Sequence, residues 1–93
     1  MPVKRENIIL QCETAALGVL DLLNTAQKKA ALEYILRYDE WLLALEFIID
    51  WLDECDQKIS SSQFSEFEKA YEMMSLANDE RLQLLRSMVI EAS

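Results

Sequence analysis

Apolar residues recur along the chain at three- and four-residue steps, the signature of helices with one buried face. Ile8, Cys12, Ala15, Ala16, Val19, Leu22 and Leu23 form one such series. It predicts a first helix from about Lys4 to Leu23, with Gly18 inside it. That glycine is read as permitting close helix packing or as merely tolerated, at roughly 1 kcal/mol relative to Ala. Asn24 and Thr25 offer caps for a second helix over about Ala26 to Arg37, with Ala30, Leu32, Ile35 and Leu36 on its apolar side. Lys28 and Lys29 stand near its start, the unfavourable end for cations, and read as solvated charges.

A third helix is predicted from Asp39, as cap, to about Asp56. Trp41, Ala44, Leu45, Ile48, Leu52 and Cys55 fall on one side of it at about 100° per residue. Phe47, Ile49 and Trp51 widen the apolar arc, so this helix is either central to the fold or presents apolar surface to a partner. Lys58 to Gln63, with three consecutive serines, reads as loop and cap. Ser62 and Glu66 stand one residue off capping-box spacing, whereas Ser65 and Glu68 have it. A fourth helix then covers about Gln63 to Ala77 with Phe64, Phe67, Tyr71 and Met74 inward. Asn78 or Asp79 caps a fifth, reaching about Glu91, with Leu82, Leu85, Met88 and Val89 inward. The expectation is an all-α, compact antiparallel bundle of four to five helices, one domain spanning residues 1–93.

Composition sharpens this. One Gly and one Pro in 93 residues leave too few turn formers for a sheet protein. With 52% apolar residues the chain can fill one core. Two cysteines, Cys12 and Cys55, are too few for a disulfide framework, and both fall at apolar helical positions, so buried inert thiols are expected. The run Ile8-Ile9-Leu10 stops at Gln11, too short for a signal-peptide core, and no stretch approaches the roughly 20 apolar residues of a membrane span. A cytoplasmic protein without membrane association is expected.

Histidine is absent. That removes Ser-His-Asp and Cys-His nucleophilic sites, Glu-x-x-His di-iron sites and zinc sites with mixed ligands. A single Gly rules out a glycine-rich phosphate loop. Carboxylate pairs one turn apart, Glu46/Asp50 and Asp50/Asp53, could in principle hold Mg²⁺, but acids so spaced are more often a solvated face. A non-enzyme without a cofactor is expected.

The net charge of −8 disfavours direct nucleic-acid binding. Its distribution is uneven. Residues 1–37 are net +1, residues 57–93 net −2, and residues 38–56 carry seven acids and no base. With Glu46 at zero on a helical wheel, Asp39, Asp50 and Asp53 fall within about 40°. The core side, between Leu45 and Ile48, is nearly opposite. Phe47 and Trp51 lie between the stripe and the core side, with Glu40 and Glu54 nearby. Aromatic anchors beside fixed charges suit a protein-binding surface; the plainer alternative is a soluble face with both aromatics in the core. The candidate partner-binding residues are Asp39, Glu40, Glu46, Phe47, Asp50, Trp51, Asp53 and Glu54.

The segment Tyr38-Asp39-Glu40-Trp41-Leu42-Leu43-Ala44-Leu45-Glu46-Phe47-Ile48-Ile49-Asp50-Trp51-Leu52 resembles the central helix of small bacterial immunity proteins, the MafI-like group and its relatives in contact-dependent growth inhibition systems. An acid–aromatic start leads into Ala-Leu-Glu, with an acid four residues on. Ile59-Ser60 follows in a loop, then a helix with Phe64, Tyr71, Met73 and Met74. One departure is that Asp39, not Gly, precedes the acid–aromatic pair. The resemblance spans roughly residues 20–86. It implies a cytosolic antitoxin that binds a cognate basic toxin domain, often an RNase acting on tRNA. The alternative from a different class is a non-catalytic helical adaptor or regulatory subunit, with a homodimer through the apolar surplus of the third helix as one form of it.

Overall fold

The computed structural model describes residues 4–36 and 40–90 and is a compact bundle of five helices. These are α1 (Arg5–Leu17), α2 (Thr25–Leu36), α3 (Trp41–Glu54), α4 (Ser61–Met73) and α5 (Glu80–Arg86). The radius of gyration, 12.4 Å, matches the roughly 12 Å of a compact chain of this length. No strand is present among the described residues; a single parallel bridge joins Ile59 to Val89. There Ile59 N–H donates to Met88 O at 3.1 Å, and Ile90 N–H to Ile59 O at 2.8 Å. This clip ties the α3–α4 loop to the chain leaving α5.

The third helix is central. Ala44, Leu45, Ile48, Ile49 and Leu52 are buried, and α3 packs against α1, α2 and α5. Most of the broad apolar arc of that helix is therefore used inside the bundle, with Phe47 and Trp51 half-buried at its edge. Phe64, Phe67, Ala70 and Tyr71 of α4 and Leu82, Leu85 and Met88 at α5 complete the core with Cys12, Ala15, Ala16 and Val19. Burying each of the large side chains contributes about 1.5–3 kcal/mol.

Helix ends differ from the sequence expectation, each for a local reason. The first helix stops at Leu17 rather than Leu23, and a 3₁₀ turn follows at Leu20–Leu22. Gly18 is its C-terminal cap, so it ends the helix instead of lying within it. Its conformation is right-handed, and an added Cβ would meet only Thr14 O and Ala15 O at an ordinary 3.5 Å, so glycine is not required there. Asn24 caps α2 as expected, with Asn24 Oδ1 accepting from Gln27 N–H at 2.8 Å and Gln27 Oε1 accepting from Asn24 N–H at 3.1 Å. The capping box of α4 is Ser60 with Gln63, not Ser65 with Glu68. Asp79 caps α5, its side chain accepting from Arg81 N–H. That helix ends at Arg86, short of Glu91, because the chain turns into the Ile59 clip. Asp39, expected to cap α3, lies outside the described residues, and Glu40 occupies the cap position without a side-chain cap bond.

Two helices end in Schellman motifs built on residues other than glycine. Asp56 (φ 51°) and Ser75 (φ 61°) are left-handed. Gln57 N–H donates to Leu52 O and Leu76 N–H to Tyr71 O, while Asp56 and Ser75 N–H donate to Asp53 O and Glu72 O.

One burial expectation is overturned. Cys12 is buried, but Cys55 is exposed. It forms the C-terminal cap of α3, where the helix runs out of the core and its periodicity no longer dictates burial.

Candidate functional site

The acidic surface belongs to α3, which is fixed by its buried side, so its outward residues have defined positions. Arg81, in the first turn of α5, reaches across to this surface. Its Nη1 donates to Glu46 Oε2 at 2.6 Å, and Nε and Nη2 donate to the two oxygens of Asp50 at 3.3 Å each. Hydrogen bonding to Asp50 holds the guanidinium above its ordinary pKa against a partial loss of solvent, with the Asp50 and Glu46 charges adding to the effect. The predicted stripe is thus divided. Glu46 and Asp50 face α5 and share one arginine, which offsets one of their two charges, whereas Asp53, Glu54 and Glu40 are exposed. The same clamp occupies the carboxylate pair that could have been considered for Mg²⁺. Among the described residues, no group of three or more His, Cys, Asp or Glu side chains is placed to hold a metal.

The aromatic side of α3 packs towards α2. Phe47 stacks on Trp51 with ring centres 5.8 Å apart and planes 15° from parallel, and meets Tyr34 of α2 at 5.3 Å. All three rings are half-buried, and Tyr34 and Trp51 also pack against the core. The core reading of Phe47 and Trp51 therefore holds in part, since each ring is half-buried and half open to solvent. At the other end of the helix Trp41 lies beneath the Arg5 guanidinium, 5.2 Å from ring centre. Glu40, Trp41, Leu42, Leu43 and Glu46 line a shallow groove there, and Asp50, Asp79, Glu80, Arg81 and Leu84 line another beside the clamp.

The C-terminal end of α3 concentrates charge against local preference. Its last turn holds Asp53 and Glu54 and no base, and Asp56 follows immediately. Acids at the negative end of a helix are unfavourable by about 0.3–1 kcal/mol each. Asp56 serves the left-handed cap, but neither folding nor capping accounts for Asp53 and Glu54.

Sequence reasoning missed Arg81. It lies 31 residues from Asp50 and 35 from Glu46, and no periodic signal links the elements. Arg5 over Trp41 and Tyr34 against Phe47 were equally invisible, being contacts between helices.

No protein-family model matches the chain, nor does any curated protein or solved structure. Within the described residues, no helix is long and apolar enough to cross a membrane.

Proposed function

We propose that the chain is an immunity protein: a cytoplasmic, non-catalytic inhibitor that binds and neutralises a cognate bacterial toxin. The toxin is a basic RNase domain, with tRNA as its substrate class. The observation that carries this reading is the uncompensated acid at the exposed end of α3, where Asp53, Glu54 and Asp56 stand without a basic neighbour in the last turn. A nuclease must present a basic surface to phosphates. An acidic helix can occupy that surface, and electrostatic steering speeds its capture. The resemblance of residues 38–52 to immunity-protein helices supports the same conclusion. The protein needs no cofactor, and it neither binds nucleic acid directly nor associates with membranes.

An adaptor or homodimer would draw on the apolar breadth of α3. Most of that breadth is buried within the bundle, and the acids beside its half-buried rings suit a basic partner better than a second copy of the same acidic face.

The test is co-expression with the product of the neighbouring gene. The two proteins should co-purify, and tRNA cleavage by the partner should stop near equal molar ratio. A basic neighbour that is neither captured nor inhibited would sink the proposal.

A further inference from the structure

The bundle contains a repeated device: an arginine held by a helix that presents carboxylates or aromatic rings at helical spacing. Arg81 is held by Glu46 and Asp50, one turn apart on α3. Arg86 lies over the Phe64 ring, 4.9 Å from its centre, and donates to Glu68 at 3.0 Å; Phe64 and Glu68 are one turn apart on α4. Arg5 lies over Trp41.

A further set of the same kind exists on α3. Trp51 follows Phe47 by four residues and Glu54 follows Trp51 by three, so the stacked rings and the carboxylate share one side of the helix. The rings are half-buried and Glu54 is exposed. Among the described residues, no arginine or lysine pairs with Glu54 or lies over Phe47 or Trp51.

We propose that Phe47, Trp51 and Glu54 form a receptor for an arginine side chain of a protein partner, with the guanidinium over the rings and donating to the Glu54 carboxylate. The proposal rests on the inhibitor reading above and gives it a contact. Charge complementarity selects the occupant. The segment is the most acidic of the chain, and Asp53 beside Glu54 is exposed, so an anionic partner is repelled there and a cationic one is attracted. Arginine is favoured over lysine because its planar guanidinium can stack and pair at once, whereas an ammonium is more strongly hydrated.

The probe is an acetylated octa-arginine peptide, titrated into the isotope-labelled protein at low salt, with octa-lysine as comparison. The two indole N–H signals report separately on Trp51 and on Trp41, which serves as internal reference. Octa-arginine should move the Trp51 signal and the amides of residues 47–54 and leave Trp41 in place. Octa-lysine should bind about threefold or more weakly, the stacking difference expected at an exposed site. Glu54→Gln should lower octa-arginine affinity by about the same factor, one charge-assisted contact in solvent, while circular dichroism stays native. The proposal is overturned if neither peptide binds, if both bind equally, if the shifts map to Asp79 and Glu80, or if Glu54→Gln binds as well as the parent. Movement of the same signals with protein concentration alone would assign the face to a second copy and also overturn it. If the neighbouring gene product is not inhibited but octa-arginine maps to Trp51, the immunity reading falls and the receptor stands. If a toxin is captured and Trp51 is unmoved by peptide and toxin, the receptor falls and the immunity reading stands.

Discussion

Arg81 donates to Glu46 at 2.6 Å across 35 residues of chain, and the same guanidinium spans both oxygens of Asp50. One side chain from α5 therefore does two things to α3. It pins the shortest helix of the bundle to the central one, and it offsets one of the two negative charges that Glu46 and Asp50 bring to the surface. What remains exposed lies at the helix ends: Glu40 at one, Asp53, Glu54 and Asp56 at the other. The negative face is smaller than the charge count of the segment suggests, and it is displaced towards the C-terminal end of α3.

Tyr71 carries the clearest stability prediction. Its hydroxyl is fully buried and has no hydrogen-bond partner among the described residues, and its phenol is held well above its ordinary pKa, first by burial and then by the charges of Asp79 and Glu46. An orphaned buried hydroxyl costs about 1–3 kcal/mol. Tyr71→Phe should therefore leave the urea midpoint unchanged or raise it. A loss beyond about 1 kcal/mol would show that the hydroxyl is bonded after all.

The residues that fill the core were legible because burial follows helical period, as with Phe64, Phe67 and Tyr71 on α4. Helix ends were less so. Ser60 and Gln63 were missed beside the competing Ser65 and Glu68, since capping-box spacing occurs by chance in a serine-rich run. Cys55 matched the apolar period but sits where α3 leaves the core. The outward position of Asp53 could be read from the wheel. The pairing of Glu46 and Asp50 with Arg81 could not, because it depends on where α5 docks.

The left-handed residues at helix ends offer a second measurement. An L-residue in this conformation costs about 1–2 kcal/mol, partly offset in Ser75→Gly by the greater freedom of glycine in the unfolded chain. Ser75→Gly should stabilise the protein by about 0.5–1 kcal/mol, raising its melting temperature. Asp56→Gly should give less, because Asp tolerates the conformation better than Ser. A destabilised Ser75→Gly variant would contradict the Schellman assignment.

The cysteines should differ in reactivity, and Cys12 should link stability to pH. Burial pushes the Cys12 thiol up to about 12, whereas Cys55 is exposed. One thiol per native chain should react with Ellman's reagent, and peptide mapping should find it at Cys55. Below about pH 8.5 both folded and unfolded chains keep the Cys12 proton. Between there and about 12 only the unfolded chain releases it, so stability falls as pH rises through this window. Cys12→Ala should flatten that alkaline decline, and an unchanged slope would mean the thiol is not shielded.

Charge reversal at neighbouring acids of α3 separates the structural acids from the exposed ones. Asp50→Lys removes two donor contacts of Arg81 and sets a cation beside it, which should cost about 1 kcal/mol, a modest figure because the pair is partly solvated. Asp53→Lys removes no contact and places a cation in the last helical turn, where it should stabilise by a few tenths of a kcal/mol. Urea unfolding at low salt should therefore order the two variants on opposite sides of the parent, and 1 M salt should narrow the gap as screening shortens to about 3 Å. Equal destabilisation by both reversals would show that Asp53 is part of the same internal network as Asp50. If the expected order appears, an acid at position 53 stabilises the fold less than a lysine there would. Its presence at the negative end of the helix is then not accounted for by stability, which is the opening that the proposed basic partner would fill.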